Sequence, residues 1–323
     1  MKKYNWGIIG PGKIARRFAS DLQLLDNAVV YGVASRNMDR ARQFASEYEV
    51  EAVYDDYQAL IADPVVDIIY VATPHHLHKE LTIACLQAKV PVLCEKPIGL
   101  NLAEVEEMIS LAREKQVFLM EAMWTACLPH YLYVKDLVAK KTFGAIKKLT
   151  SDFGFMAEYD PDGRLFNKAL GGGSLMDIGI YPVYAAVSLL GNPKTCQASA
   201  VFTDSGVDAE LRAKLGYADD VIAALHSSFL AHTPTQTTVE CEEATIRIKG
   251  RWHEPTDVEI IQGEVVETKT FETQGAGYQY EAAEAMRCLE AGLTESPLMS
   301  LDETWRLATL IDRIQQRVKL FYN

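Results

Sequence analysis

Trp6-Gly7-Ile8-Ile9-Gly10-Pro11-Gly12-Lys13-Ile14-Ala15 is the stretch that decides the fold of the first part of this chain. A short apolar run enters a Gly-x-Gly-x-x-Ala turn and leaves it as a helix, with Ala15, Phe18, Ala19 and Leu22 at i, i+3, i+4 and i+7. Gly10 permits the tight turn, Gly12 lets the backbone approach a pyrophosphate, and Ala15 lets the helix pack close to the strand. Lys13 and Ile14 open that helix, whose N-terminus carries partial positive charge toward a phosphate. Glycine-rich turns that bind nothing are common. The strand before this one and the helix after it are what turn the motif into a dinucleotide site.

Outward from the turn, short apolar runs alternate with helical periodicity as far as Met120, which predicts a parallel sheet flanked by helices. Strands are expected at Asn5–Ile9, Val29–Ala34, Asp67–Ala72, Val90–Cys94 and Val117–Met120. Val105, Met108, Ile109 and Ala112 mark a later helix, and Asn101 with Glu104 has the spacing of a capping box at its start. After Trp124 the pattern changes. A helix near Pro129–Val138 leads into β-rich segments at Ile146–Met156, Cys196–Phe202, Glu210–Leu215, Val221–Phe229 and Thr237–Ile248, read as a mostly antiparallel sheet. Helices over Tyr278–Ala291 and Leu301–Lys319 follow. The expected division is residues 1–122 and 123–323, with an active cleft between them.

Composition narrows the function. A chain of 323 residues with 49% hydrophobic content can build two cores. Its 32 basic and 44 acidic side chains give a net charge of −12, which argues against nucleic acid or an anionic membrane as partner and requires local groups to hold an anionic cofactor. No run of about 18 apolar residues stands out as a membrane span. Six cysteines without a C-x-x-C pair read as reduced thiols of a cytoplasmic protein.

Where an NAD enzyme would place a carboxylate for the ribose, the second expected strand ends in Ala34-Ser35-Arg36, with Arg40 a helical turn further on. Arg36, Arg40 and Ser35 suit a 2′-phosphate and so favour NADP, with NAD as the alternative. The plainer reading of Arg36 is a solvated arginine at a helix start. Thr73-Pro74-His75-His76-Leu77-His78 closes a strand and is expected to edge the nicotinamide pocket through Thr73, Pro74, His75 and His78. A metal is not expected there, because His75 and His78 lack a third ligand at useful spacing.

Glu95-Lys96-Pro97 lies at the carboxyl edge of the expected sheet, where ligands sit in open α/β folds, so Glu95 and Lys96 are expected to border the cofactor. Pro97 keeps Lys96 out of the helical region and fixes the direction of its side chain. Asp177 and Tyr181 are four residues apart and share a face if that segment is helical. Lys96 and Tyr181, with Asp177, thus form an ammonium, phenol and carboxylate set suited to handling a hydroxyl proton while hydride leaves the same carbon. Two other readings compete: Ser174 to Asp177 also has capping-box spacing, and Pro182 with Gly179 predicts a kink beside Tyr181. Trp124 is open to two readings, stacking on a ring of the substrate or packing in the core, and Phe155 is a second candidate for the substrate wall. Gly171-Gly172-Gly173 suits close backbone approach or flexibility better than a second phosphate site.

Gly10 to Ala15, Glu95-Lys96-Pro97 and the run from Gly171 to Tyr181 together resemble the glucose–fructose oxidoreductase and inositol dehydrogenase superfamily, over nearly the whole chain. Glu121-Ala122-Met123-Trp124, Asp160-Pro161-Asp162-Gly163-Arg164-Leu165-Phe166 and Glu295-Ser296-Pro297-Leu298-Met299 resemble its trans-1,2-dihydrodiol dehydrogenase and NADP-dependent D-xylose 1-dehydrogenase branch. That branch has Tyr where most of the superfamily has His, and Tyr181 follows it. The resemblance implies a Rossmann domain followed by an α/β domain with a large open sheet for substrate binding and dimer contact. It also implies Lys96 and Tyr181 as the catalytic pair, with Asp177 supporting the pocket. The partners implied are a small polyol, sugar or dihydrodiol and further copies of the chain in a homodimer or higher homo-oligomer. Ala126-Cys127 departs from the Arg-Phe usual in the branch, so the preferred substrate can differ. Two alternatives remain, a keto-sugar reductase or NAD-dependent sugar or inositol dehydrogenase, and a regulator that binds NADP without turnover.

Overall fold

The computed structural model describes residues 2–322. In chain order, β1 (Tyr4–Ile9) runs through the glycine turn into α1 (Lys13–Leu22), then β2 (Ala28–Ala34), α2 (Met38–Tyr48), β3 (Ala52–Tyr54), α3 (Tyr57–Ile61), β4 (Ile68–Val71), α4 (His78–Gln87), β5 (Val92–Glu95), α5 (Leu102–Lys115) and β6 (Leu119–Ala122). The six strands form a sheet in the order β3-β2-β1-β4-β5-β6 with every pair parallel. This is the doubly wound order, with its ligand crevice at the carboxyl ends of the strands. Ala15, Phe18, Ala19 and Leu22 of α1 are buried, as are Val105, Met108, Ile109 and Ala112 of α5, so both stripes face the core as their spacing requires. Asn101 Oδ1 accepts the Glu104 amide at 3.0 Å, while the Glu104 carboxylate returns to the Leu100 amide at 2.8 Å. The box therefore forms with its return bond one residue early.

Next come α6 (Pro129–Ala139), β7 (Ile146–Gly154), α7 (Ile180–Leu190), β8 (Thr195–Phe202), β9 (Asp208–Gly216), β10 (Ile222–Ser228), β11 (Thr237–Cys241), β12 (Thr245–Ile248), β13 (Val258–Gln262), β14 (Val265–Lys269), α8 (Tyr278–Glu290) and α9 (Leu301–Val318). The second sheet has the order β14-β13-β12-β11-β7-β10-β9-β8 and is antiparallel except where β10 runs parallel to β7. Several features depart from the sequence reading, among them β13, which was not expected although Val258 and Ile260 are buried at alternate positions. The expected strand Thr237–Ile248 is a hairpin, broken at Glu242 and Glu243 by a turn that lacks the usual Gly, Asn or Pro. β3 is only three residues long, and every residue of β14 is exposed, so neither carries a buried face that imposes alternation.

By compactness, the chain up to Cys127 joins Thr273–Thr304 in one unit, and Leu128–Glu272 joins the chain from Trp305 in another. Sequence reading placed a single cut at 122/123. The first unit gains α8 because Asp21 of α1 accepts the Ala276 amide at 2.9 Å and the Tyr278 amide at 2.8 Å, and Thr294 O accepts the Leu119 amide at 3.1 Å. In the second unit α7 packs on β7 and β10 through a nearly continuous set of buried residues. One correction concerns hydropathy: the helical run Lys168–Leu190 does have the length and composition of a membrane span, and 89% of its apolar window is buried within the protein.

Candidate active site

The glycine turn is shaped as its chemistry requires. Gly10 has φ +91°, and a Cβ there would lie 2.9 Å from Ala72 O, whereas a Cβ at Gly12 would meet nothing within 4 Å. Gly12 caps α1 without a side-chain bond, and no acidic residue stands in the first turn, so the helix N-terminus is open to an anion. Lys13 is exposed and Ile14 half-buried at this end. Thr73, just past β4, has a buried hydroxyl with no partner among the described residues. These residues fit a dinucleotide: a cradle that only glycine allows, an uncapped helix start and a waiting hydroxyl.

At the end of β2, Ser35 is buried and its hydroxyl accepts the Asn37 amide at 3.1 Å, while Asn37 Oδ1 accepts the Arg40 amide at 3.0 Å. Asn37 thus caps α2, leaving Arg36 and Arg40 exposed, and neither has an ion-pair partner among the described residues. Pro74 is half-buried and His75 buried, with the His75 ring edge-on to His78 at 5.6 Å. Fully buried His78 places Nδ1 2.8 Å from Pro97 O and Nε2 2.9 Å from Thr73 O. It therefore ties the end of β4 to the segment after β5, and burial lowers its proton affinity.

Lys96 is half-buried just past β5, and its peptide bond to Pro97 is cis. Its amide donates to Glu95 Oε2 at 3.2 Å, and Glu95 Oε1 accepts the Tyr70 hydroxyl. Behind this segment lies a group of buried carboxyls that the sequence reading did not single out. Glu121, next to last in β6, accepts the Ile98 amide at 3.1 Å, and burial pushes it up to about 7. Among the described residues neither oxygen of Glu281 in α8 has a hydrogen-bond partner, and burial, with the charges of Glu95 and Asp21, raises it well above the usual carboxylate range. A charged residue inside an otherwise apolar strand was the available signal for Glu121. Trp124 is 3% exposed and lies flat on Tyr278, with rings 4.2 Å apart and 1° between planes. Its packing role is thus occupied by Tyr278.

In the second unit, Leu175–Gly179 forms a π-helical turn that passes directly into α7. Pro182, which has no N–H to donate, sits in the first turn of α7, so the predicted irregularity beside Tyr181 takes the form of a π-turn. The capping-box alternative does not form. The Ser174 hydroxyl donates to Asp208 Oδ2 at 2.7 Å, and Asp177 pairs with Arg164, whose Nη1 lies 2.6 Å from Oδ1. Burial pushes Asp208 up to about 6 against that bond. A Cβ at Gly172 would lie 2.8–2.9 Å from the carbonyls of Leu165, Arg164 and Asn167, so close backbone approach explains that glycine.

Tyr181 is 6% exposed, and its ring stands 4.9 Å from His253, 5.8 Å from Phe153 and 6.5 Å from Trp252. Phe155 is half-buried against Phe229 at 5.4 Å. This wall includes Arg164, Trp252 and His253, which come from loops without periodicity and carry no local signal. Tyr181 and Asp177 are brought onto one continuous helical segment within this unit, and Lys96, Glu95, Thr73 and Gly10 are gathered at the strand ends of the first.

Comparison with known proteins places this geometry. Residues 4–123 match the oxidoreductase family with an NAD-binding Rossmann fold, and residues 131–247 match the GFO/IDH/MocA C-terminal domain. The chain is 35% identical over 330 residues to trans-1,2-dihydrobenzene-1,2-diol dehydrogenase of Xenopus laevis, covering 98% of each. The enzyme of the same name from Homo sapiens is 32% identical, covering 97% of this chain and 96% of its own. Among solved structures, KijD10, a 3-ketoreductase from Actinomadura kijaniata in complex with NADP and TDP-benzene, superposes with a TM-score of 0.87 at 27% identity over 98% of both chains. The chain belongs to the GFO/IDH/MocA oxidoreductase family and is a nicotinamide-dependent dehydrogenase with that family's Rossmann and C-terminal domains.

Proposed function

We propose that the chain is an NADP-dependent oxidoreductase of a cyclic diol or aldopyranose, of the trans-dihydrodiol or D-xylose type, with Tyr181 as general acid/base assisted by Lys96. The observation that carries this reading is Tyr181 itself, a buried phenol one turn from the Arg164-held carboxylate of Asp177, in a chain whose relatives are named dihydrodiol dehydrogenases. The nicotinamide, when bound, supplies the hydride acceptor. Gly10, Gly12, Lys13, Ile14 and Thr73 hold its pyrophosphate side, and His75, His78 and Pro74 shape the turn beside it. Tyr181 removes the hydroxyl proton and returns it in the reverse direction.

A free phenol has a pKa near ~10 and is a poor base at neutral pH. An ammonium at roughly 4 Å, with an effective dielectric of about 20, favours the phenolate by up to ~4 kcal/mol, or about three pKa units, part of which desolvation takes back. Lys96 fills that role and orients the hydroxyl. Asp177 accepts from a neighbouring hydroxyl of the substrate, and Trp124 and Phe155 belong to its surroundings. Arg36 and Arg40, exposed and without an ion-pair partner among the described residues, support NADP over NAD. The KijD10 relationship favours a second reading, reduction of a keto sugar by the same residues. A homodimer through the open face of the second sheet, in a cytoplasmic setting consistent with six free cysteines, completes the proposal.

Absorbance of the reduced nicotinamide, followed with pentoses, hexoses, trans-dihydrodiols and keto sugars and with both cofactors, tests the reading. Turnover with at least one diol or aldopyranose and a clear NADP preference is expected. Tight NADP binding without turnover of any compound would point instead to a regulator.

A further inference from the structure

Glu121, next to last in β6, lies beside β5, with Cys94 opposite Glu121 and Glu95 opposite Ala122. It is 2% exposed. Its Oε1 accepts the Ile98 amide at 3.1 Å, a grip on the backbone two residues past Lys96. Its Oε2 is buried with no hydrogen-bond partner among the described residues. Through space, the charge of Lys96 favours its ionised form and that of Glu95 opposes it. A carboxyl in such a place is costly unless a nearby cation uses its charge.

We propose that Glu121 is a positioning residue for Lys96: one carboxyl oxygen clamps the backbone after the lysine, and the other is the buried counter-charge that tempers the lysine's field at Tyr181. This rests on the reading of Lys96 and Tyr181 as the catalytic pair. The sign follows from electrostatics. Ionised Glu121 cancels part of the positive field of Lys96, so Tyr181 holds its proton more tightly, and removing the carboxylate lets the phenol ionise at lower pH. That burial pushes Glu121 up to about 7 puts this change in the working range.

Two variants separate the roles. Glu121→Gln keeps an oxygen for the Ile98 amide but loses the charge, so the pH profile of kcat/KM for oxidation should move to lower pH by about half a unit or more, with the plateau kept within about threefold. Glu121→Leu loses the acceptor, so kcat should fall about tenfold or more with NADP affinity unchanged within about twofold. A Gln profile that overlays the wild type, or full kcat in the Leu variant, overturns the proposal. If neither variant folds, infrared difference spectra of the wild type and Lys96→Met with 13C-carboxyl Glu, taken between about pH 5.5 and 8.5, decide the matter. A carboxyl that titrates at higher pH once Lys96 is gone supports it, and an unmoved titration overturns it. Tyr181→Phe in the same assay keeps the two claims apart. Full activity there removes the catalytic pair itself, whereas an inactive Phe variant beside an unmoved Gln profile removes only the role of Glu121.

Discussion

Arg36 shows how much one side chain can decide. It is exposed, has no described ion-pair partner, and stands where β2 ends without a carboxylate. A charge-assisted bond to a phosphate is worth about 1.5–3 kcal/mol, so Arg36→Ala should raise KM for NADP by roughly 10- to 100-fold and leave NAD nearly unchanged; equal effects on both would show that Arg36 does not read the 2′-phosphate. The strand, the tight turn at Gly10 and the helix after Gly12 were legible in the sequence because they depend on spacing within one short stretch. Asp177 was only half legible. Its residue type and its distance from Tyr181 could be read, but its partner Arg164 lies in an irregular loop, and the competing cap failed because Ser174 is drawn to Asp208. His253 and Trp252 were silent, since they face Tyr181 from a loop more than seventy positions away.

The start of α8 depends on a residue of another element. Asp21 accepts the Ala276 amide at 2.9 and 3.0 Å and the Tyr278 amide at 2.8 Å, satisfying donors that a helix start leaves open. Asp21→Ala should therefore cost about 2–3 kcal/mol in denaturant unfolding and speed hydrogen exchange at those two amides, whereas an unchanged exchange rate would mean that other groups hold this start. Elements with a buried stripe, such as α1 and α5, could be read from periodicity alone. Those without one could not. β14 is exposed on both faces, and the β11–β12 turn at Glu242 and Glu243 has none of the residues that usually mark a hairpin.

Across the whole molecule, stability should depend on pH through buried groups that pull in opposite directions. Burial pushes His130 down to about 4 from 6.5, its Nε2 lying 2.9 Å from Trp252 O. Its folded value is below its unfolded one, so between about pH 6.5 and 4 the unfolded chain takes up a proton that the folded chain refuses, and stability falls as pH drops, by about 3 kcal/mol at most. Asp208 and Glu121, pushed up to about 6 and about 7, act in the opposite sense and lose stability as pH rises through the same range. Comparing His130→Gln with the wild type isolates the first effect: the loss of Tm between pH 7 and pH 5 should be smaller in the variant, and equal losses would contradict it. At this scale the sequence was least informative about chain order. Nothing local in residues 273–304 tells that they pack with the parallel sheet, because the bonds that bring them there join residues 255 and 257 positions apart. Whether one phenol and one ammonium serve the same hydroxyl is most directly tested by a double-mutant cycle on kcat/KM with Tyr181→Phe, Lys96→Met and the double variant. Each single change should cost ~10²-fold or more, and the double variant should lose no more than about tenfold beyond the worse single one. Losses that simply multiply, or a Phe variant with wild-type turnover, would contradict the account.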